Sequence, residues 1–412
     1  MENKNSKRRE SGFLKGTFVG TMVSACIFAV MLALVVGIVR NEKPAATVSQ
    51  GTQDNVLENE TVLDKIGTLQ RMIEKYSLNE ADEIELIDGM YKGLVSSLGD
   101  VYSGYFTKDE FAEMMEATSG EYKGIGVIIQ QDYNTGVISI VKVFKGEPAE
   151  QAGVKAGDVV YKVNGKEVTG EDSSEVVAWI KNSENDEVTL EVARSGESDY
   201  ISMNMKLSNV EVPTVESKML ADQIGYIAVS EFDEVTAAQF KKAVDTLKEQ
   251  GMKGLVIDLR DNPGGLYTTV VEMLDYILPE GLIVYTEDKN GEGDKQYSDE
   301  EHKLDIPYAV IINGNSASAS EIFAGAVKDF GIGKVVGTKS YGKGIVQQFF
   351  PLSDGSALKL TVSKYFTPSG VNIHGTGIQP DIEVALSEEA KAQTVLKEEE
   401  DNQLQAAIEA VK

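Results

Sequence analysis

The feature that most constrains the fold is a pattern of short apolar segments, each followed by a loop rich in glycine or serine. These segments occupy residues 254–260, 308–313 and 334–338. The loops after them read DNPGG, GNSASAS and KSYGKG, and the first two lead into helix-like segments, TTVVEMLDYIL and SEIFAGAVKDFG. Strands that alternate with helices predict a parallel sheet, whose right-handed crossovers bring all three loops to one carboxyl edge. The pattern therefore predicts an α/β domain with a site built from these loops.

Ser318 is the residue of the second loop that is best placed for chemistry. It precedes the helix-like segment, and Glu321 follows it by three residues. One interpretation is structural, because Ser-x-x-Glu is a capping box, which stabilises a helix by about 1 kcal/mol. The other is catalytic, because a serine at a helix N-terminus lies near converging N–H groups and the positive end of the helix dipole. The catalytic interpretation requires a base.

Lys343 in the third loop is a better candidate for this base than either histidine. The chain has only His302 and His374, neither of them in a supporting pattern, and it has no Gly-x-Ser-x-Gly motif. Lys343 lies between two glycines, 25 residues after Ser318, a distance that one helix, one strand and a turn would span. An amine accepts a proton near neutral pH only if burial lowers its pKa. The apolar neighbours available to bury it are Ile345, Val346 and Phe349.

Two further features would complete such a site. If the chain beyond Lys343 is extended, Gln347 lies on the same side as Lys343 and could orient the amine; otherwise it is an ordinary solvated strand residue. An oxyanion hole could use the N–H of Ala319 and a glycine N–H of the DNPGG loop, where missing side chains allow close approach to a substrate.

A different interpretation of the third loop is a phosphate-binding loop. Residues 337–344 nearly match Gly-x-x-x-x-Gly-Lys-Ser/Thr, but Gly344 stands where the magnesium-binding hydroxyl would be. The segment that follows, IVQQFFPLSDGSALKLTVSKYF, has a strand pattern, whereas a phosphate-binding loop leads into a helix. Both departures disfavour nucleotide binding.

Residues 116–207 have another pattern, in which short β-branched runs alternate with glycine turns around one helix near 173–181. This pattern predicts a compact, β-rich domain. The GIGV turn at 124–127 leads into a strand, so its N–H groups could bind a peptide carboxylate while the peptide adds to the sheet edge. An ordinary glycine turn is the alternative.

Near the N-terminus, residues 16–39 form a segment of 24 residues without a charge. This length is sufficient to cross a bilayer as a helix. Lys and Arg are more numerous before it than after it, so residues 1–15 are expected in the cytoplasm as a tail. The alternative is a cleaved signal peptide, with small residues at Ala45 and Ala46. We therefore predict a single-pass protein of the cell membrane whose main part is extracytoplasmic.

Composition excludes several classes of function. A net charge of −27 disfavours nucleic acid as a partner. Cys26 is the only cysteine, so no internal disulfide or thiolate metal site is available, and we expect no metal or cofactor. The other predicted segments are a linker at 40–58, a helical segment at 59–115, an α/β core at 208–386 and a solvated amphipathic helix at 387–412.

Two sets of motifs resemble known families. GEPAEQAGVKAGDVVYKVNGKEV (146–168) resembles the core of PDZ domains, which implies that Ile125, Gly126 and Val127 hold the free C-terminus of a protein. A second set resembles the carboxyl-terminal processing peptidases, serine peptidases with a Ser/Lys dyad and a PDZ domain. Its motifs are DLRDNPGG (258–265), NSASASEIFAGAVKD (315–329), SYGKGIVQ (340–347) and GIQPDIEV (377–384).

The second resemblance implies a role for each candidate residue. Ser318 would be the nucleophile, Lys343 the general base and Gln347 its orienting partner. The oxyanion donors that it implies are the N–H groups of Ala319 and of Gly264 or Gly265. The implied architecture is α/β and multidomain, with an N-terminal transmembrane helix, a helical segment and a β-rich PDZ domain inserted ahead of an α/β serine peptidase core. The implied substrates are proteins or peptides with a free C-terminus.

Some alternatives stay open at this point. A catalytically silent, membrane-anchored PDZ scaffold that binds protein tails would share most of these motifs. The resemblance also implies a homodimer formed through the terminal helices. One departure is that relatives often carry an arginine near the end of the PDZ helix, where this chain reads Trp179-Ile-Lys-Asn182. In those relatives the arginine takes part in switching the site on, so this chain departs from the family pattern at that position.

Overall fold

The computed structural model describes residues 59–299, 301–391 and 396–412. The chain divides into two compact units, one ending at Asp82 and one from Glu83 to Lys412, and each is described by itself. The predicted tail, anchor and linker at 1–15, 16–39 and 40–58 lie outside the described residues. Among the residues that are described, no helix combines the length and the apolar character needed to cross a bilayer.

Several helices begin at a residue whose side chain caps them. Asn59 accepts a hydrogen bond from the N–H of Thr61 at the first helix, and Thr107 and Glu110 form a capping box at the third. In chain order the α-helices are α1 (Glu60–Tyr76), α2 (Glu83–Ser96), α3 (Lys108–Ser119), α4 (Pro148–Gln151), α5 (Ser173–Lys181), α6 (Thr236–Glu249), α7 (Tyr267–Asp275), α8 (Ala319–Phe330), α9 (Glu388–Lys391) and α10 (Asn402–Ala410). Short 3-10 helices occupy Glu184–Asp186, Ala221–Gln223 and Glu398–Glu400.

The strands form four sheets in the described part of the chain. In chain order they are β1 (Gly104–Phe106), β2 (Glu121–Gly124), β3 (Val127–Gln131), β4 (Ile138–Val143), β5 (Val159–Val163), β6 (Lys166–Glu167), β7 (Glu187–Ala193), β8 (Ile201–Lys206), β9 (Ser208–Glu211), β10 (Val215–Met219), β11 (Ile224–Val229), β12 (Gly254–Asp258), β13 (Gly281–Asp288), β14 (Lys295–Ser298), β15 (Tyr308–Ile312), β16 (Gly333–Gly337), β17 (Ile345–Pro351), β18 (Ala357–Phe366) and β19 (Ile382–Glu383).

The predicted parallel sheet is the centre of the second unit. Its order is β10-β11-β12-β15-β16-β19, and all its pairs are parallel except β10 with β11. Every residue of β12 and β15 is buried, as expected for strands covered on both faces. Helices α6, α7 and α8 cover one face, where Phe240, Met273 and Phe323 are fully buried. The loops after β12, β15 and β16 therefore meet at one edge.

The C-terminal segment differs from its prediction. Instead of one solvated amphipathic helix over 387–412, the described residues there form the short helix α9, a 3-10 turn and α10. Helix α10 covers the second face of the parallel sheet, with Leu404, Ala407 and Val411 buried against Val256 and neighbouring strand residues. The apolar side of α10 therefore packs on this chain's own core and does not face solvent.

A β-rich domain, an antiparallel sheet and the two-stranded antiparallel pair β2-β9 complete the unit. Strands β3-β4-β5-β7-β8 surround the core of the predicted PDZ domain, with β6 pairing β5 and with α5 at the predicted position. The antiparallel sheet has the order β1-β18-β13-β14, and β17 pairs with β18. Strand β17 follows the loop of Lys343, so this loop leads into a strand, which agrees with the argument against a phosphate-binding loop.

Candidate active site

One cavity of about 500 Å³ contains every residue that the sequence assigned to catalysis. It lies at the carboxyl edge of the parallel sheet, between the loops after β12, β15 and β16. The six predicted residues that line it are Gly264, Gly265, Ser318, Ala319, Lys343 and Gln347. The three loops therefore meet as the parallel topology requires.

Ser318 sits on a sharp turn between β15 and α8. Its backbone has φ 53° and ψ −113°, and residues other than glycine rarely adopt a positive φ. Such strain persists only where surrounding contacts enforce it, and it is concentrated at functional sites. Here the N–H of Ser318 donates to Glu321 Oε2 at 2.9 Å, which is one of the two bonds of the predicted capping box.

The Glu321 carboxylate also binds the loop that carries the base. It is fully buried, and its Oε1 accepts from Gly342 N at 2.7 Å and from Ser340 Oγ at 2.5 Å. Its Oε2 accepts from Lys343 N at 2.8 Å as well as from Ser318 N. One carboxylate therefore receives four donors and joins the backbone of the candidate nucleophile to that of the candidate base.

Tyr365 makes a second bridge between the same two residues. Its hydroxyl donates to the carbonyl oxygen of Lys343 at 2.5 Å and lies 3.0 Å from the carbonyl oxygen of Ser318. Burial raises the pKa of Tyr365, so the phenol stays neutral and keeps its proton for these contacts. Sequence reasoning found neither this bridge nor that of Glu321 to the third loop, since both depend on contacts between loops far apart in the chain.

The Lys343 amine has the electrostatic environment of a base. Burial lowers its pKa, and the charge of Lys359 lowers it further, whereas Asp100 and Glu321 act in the opposite direction. The Nζ atom lies 4.9 Å from the centre of the Tyr102 ring. Within the described residues the amine and the Ser318 hydroxyl make no hydrogen bond to each other. They nevertheless line the same cavity.

Gln347 lines the cavity near Lys343, but the path between them is not a regular strand. The pairing of β17 with β18 shifts register between Val346 and Gln347, so the strict alternation expected from the sequence is interrupted. The Gln347 amide donates to Thr361 Oγ1 at 3.4 Å. An orienting role for Gln347 stays a prediction.

The N–H groups predicted as oxyanion donors differ in whether they already have an acceptor. The N–H of Gly264 donates to Asn262 Oδ1 at 2.8 Å and is therefore engaged. The N–H groups of Gly265 and Ala319 have no acceptor among the described residues and line the cavity. A side chain at Gly265 is excluded because its φ is 147° and a Cβ would lie 2.4 Å from the Phe232 carbonyl oxygen. Of the N–H groups predicted to bind an oxyanion, those of Gly265 and Ala319 are thus the pair without an acceptor in the described residues.

A second cavity, of about 400 Å³, lies beside the GIGV turn between β3 and α5. Ile125 and Val127 line it, together with apolar residues such as Phe144 and Val177, whereas Gly126 does not. Tyr122 reaches into the same region. Burial raises the pKa of its hydroxyl to about 12, and hydrogen bonds from the N–H groups of Val127 and Gly126 act in the opposite direction.

The end of α5 contacts helix α3. Lys181, in the segment where relatives often carry arginine, forms an ion pair with Glu116 of α3. Ala117, the next residue of α3, lines both the catalytic cavity and the groove beside α5. The two cavities are therefore separated by a single helix.

The sequence matches several family descriptions. Residues 223–384 match "Peptidase family S41", residues 140–194 match "PDZ domain", and residues 22–110 match "Activating protease CtpB N-terminal domain". The fold and the site thus define a serine peptidase with a PDZ domain.

Similar proteins place the chain more closely. It is 35% identical to the carboxy-terminal processing protease CtpB of Bacillus subtilis, over 85% of this chain and 73% of that protein. It is 36% identical to CtpA of the same organism, over 82% of this chain and 72% of that protein. The chain belongs to peptidase family S41 and is a C-terminal processing serine protease. A solved structure of an S41 protease from Bacteroides fragilis shares the fold, with a TM-score of 0.52 and 16% identity over 88% of this chain and 98% of that one.

Proposed function

We propose that the chain cleaves proteins near their C-termini by a Ser/Lys dyad mechanism. The observation that carries the proposal is the shared cavity of Ser318 and Lys343, in which the amine has a lowered pKa. Neutral Lys343 removes the proton of Ser318 as the hydroxyl oxygen attacks the peptide carbonyl. The N–H groups of Gly265 and Ala319 bind the oxyanion, and Lys343 then returns the proton to the leaving amine. Gln347 orients the Lys343 amine, which keeps the base aligned with the hydroxyl. The acyl-enzyme is hydrolysed by water.

The test compares Ser318→Ala and Lys343→Ala with the wild type on an unfolded protein substrate, with products identified by mass spectrometry. Both variants are expected to lose cleavage while keeping the thermal unfolding midpoint of the wild type. Lys339→Ala, another lysine of the third loop, is the matched control and keeps activity. Full activity in either dyad variant contradicts the mechanism. Tail binding without hydrolysis in the wild type would favour the silent scaffold instead.

The PDZ domain is proposed to hold the free C-terminus of the substrate at Ile125, Gly126 and Val127. The apolar groove beside α5 supports this role, because it can take the side chains of a peptide added to β3. Amidation of a peptide's C-terminus removes its charge and is expected to weaken binding. Equal binding of the acid and the amide, measured by calorimetry, would count against the assignment.

Two further proposals concern assembly. The uncharged segment at 16–39 is proposed as an uncleaved anchor, which predicts that the full-length protein pellets with membranes and retains its N-terminus.

The apolar residues Met90, Leu94 and Leu98 are 45%, 60% and 62% exposed on and just after α2. A second copy of the chain is proposed to cover them, in line with the expected homodimer. Leu94→Glu should then convert dimers to monomers in light scattering.

A further inference from the structure

The loop after β11 places two carboxylates in the wall of the catalytic cavity. Glu231 and Asp233 line the cavity that contains Ser318. Phe232, between them, donates its N–H to the carbonyl oxygen of Gly264 at 3.0 Å. The two acidic residues are therefore held beside the DNPGG loop, here called the oxyanion loop, which contains Gly264 and Gly265.

Asp233 is buried without a partner. It is 8% exposed, and its carboxylate has neither a hydrogen bond nor an ion pair with any of the residues described. The loop around it is well fixed, since its N–H donates to Thr236 Oγ1 at 3.0 Å and its carbonyl accepts from Thr269 Oγ1 at 3.1 Å. The Asp233 oxygens are not among the fully buried polar atoms that lack a partner, and the residue lines the cavity, so its carboxylate is open to a ligand there that supplies hydrogen-bond donors.

The groups around the carboxylates leave this charge uncompensated. Burial, and to a smaller extent the charge of Glu231, raise the pKa of Asp233 to about 6, so it is mostly ionised at neutral pH. The cavity's amines, Lys343 and Lys359, form no ion pair with it in the described part of the chain. The cavity-lining residues of the adjoining α3 and α7 are uncharged: Met114, Ala117, Thr118, Tyr267 and Thr268.

We propose that Asp233 and Glu231 form a cation-binding subsite that takes a lysine or arginine side chain of the substrate close to the bond that is cut. This inference rests on the proposed peptidase function and names a substrate class for it. A long basic side chain suits the wall, because its methylene groups can pack on Met114 and Tyr267 while its head group reaches the carboxylates. A divalent metal ion fits less well, since among the described residues no third carboxylate, histidine or cysteine forms a metal-binding group with these two.

The test uses pairs of peptides that differ only in lysine against glutamine, with the exchange placed in turn at each position near the cleaved bond. The wild type is expected to prefer lysine at one position by about tenfold in kcat/KM, as for a charge-assisted hydrogen bond. In Asp233→Asn and in Glu231→Gln this ratio should fall towards one. Glu234→Gln removes a charge from the same loop at an exposed position outside the cavity, and it should keep the wild-type ratio.

A second measurement does not depend on cleavage. Ser318→Ala is titrated with the same labelled peptides, and fluorescence anisotropy gives the ratio of their Kd values with and without Asp233→Asn. A lysine preference that disappears with Asp233→Asn supports the subsite, even if no peptide is hydrolysed and the proposed function itself fails. Equal binding of both peptides by Ser318→Ala, or a preference that survives both Asp233→Asn and Glu231→Gln, overturns the proposal. Glu231 is exposed, so Glu231→Gln gives a result even if Asp233→Asn does not fold.

Discussion

At the scale of single residues, Lys359 affects the pKa of Lys343, the proposed general base, and both residues line the same cavity. Its charge disfavours a second ammonium group nearby and so helps to lower the pKa of Lys343. Since only the neutral amine acts as a base, kcat/KM should rise with pH as Lys343 loses its proton. In Lys359→Gln the pKa of Lys343 rises, so this increase moves to higher pH and activity at neutral pH falls. The measurement is kcat/KM against pH.

The control for this prediction lies on the same strand. Lys364 is an exposed residue of β18 and does not line the cavity. Lys364→Gln should therefore keep the wild-type pH profile. An identical profile for Lys359→Gln and the wild type would show that the two amines do not interact.

Gly265 gives a second prediction at this scale. Gly265→Ala places a Cβ against the Phe232 carbonyl at a φ that L-residues avoid, so the oxyanion loop must move. We expect a loss of unfolding free energy of about 2 kcal/mol or more and at least a tenfold loss of kcat/KM. Gly314→Ala is the control, because a Cβ there meets nothing within 4 Å. Equal activity of the two variants would rule out Gly265 as a close-approach residue.

At the scale of elements, contacts at the N-terminal end of α8 hold the loops of the candidate site together. The strained turn at Ser318 is enforced by Glu321 and Tyr365, each of which contacts both the loop of Ser318 and the loop of Lys343. The motif SASASE indicates the helix start, and Glu321 could be recognised as a cap. Its bonds to Gly342 and Lys343 could not, because no local pattern shows which backbone donors a buried carboxylate will meet.

Helix α10 is the element whose role differed most from expectation. Leu404 is 4% exposed against the parallel sheet, and Arg260 Nη2 binds Asp401 Oδ2, at the start of this helix, at 2.7 Å. Leu404→Ala should cost about 2–5 kcal/mol of unfolding free energy, because it leaves a cavity in this layer. Glu409→Ala, on the exposed side of the helix, should cost little. Denaturant unfolding of both variants checks this, and equal midpoints would mean that α10 does not close the core.

At the scale of the whole molecule, the net charge and the acidic wall of the cavity both favour the binding of cationic peptides. A chain with a net charge of −27 attracts cationic peptides over distances that salt controls. Raising the salt concentration from about 0.1 to 1 M shortens the screening length from about 10 to about 3 Å. We expect kcat/KM for a lysine-rich peptide to fall over this range more steeply than for its glutamine counterpart. Parallel declines for the two peptides would argue against electrostatic attraction.

The sequence by itself determined the order of the secondary structure and the identity of the candidate residues. Apolar strands, glycine loops and helix starts are local patterns, and the parallel rule then brings the loops of Ser318 and Lys343 to one edge. The rule is general, so it required no knowledge of the packing. It did not distinguish Gly264 from Gly265, because that choice depends on whether Asn262 already occupies an N–H group.

Only the tertiary structure decided the contacts that give these residues their properties. The interaction of Lys359 with Lys343 and the four hydrogen bonds to Glu321 connect segments that are distant in the chain. The lack of a partner for the Asp233 carboxylate likewise depends on which distant segments surround it. The packing of α10 on the sheet is of the same kind. Burial and electrostatic interactions depend on distances in space, and local sequence patterns carry little information about which distant side chains become neighbours.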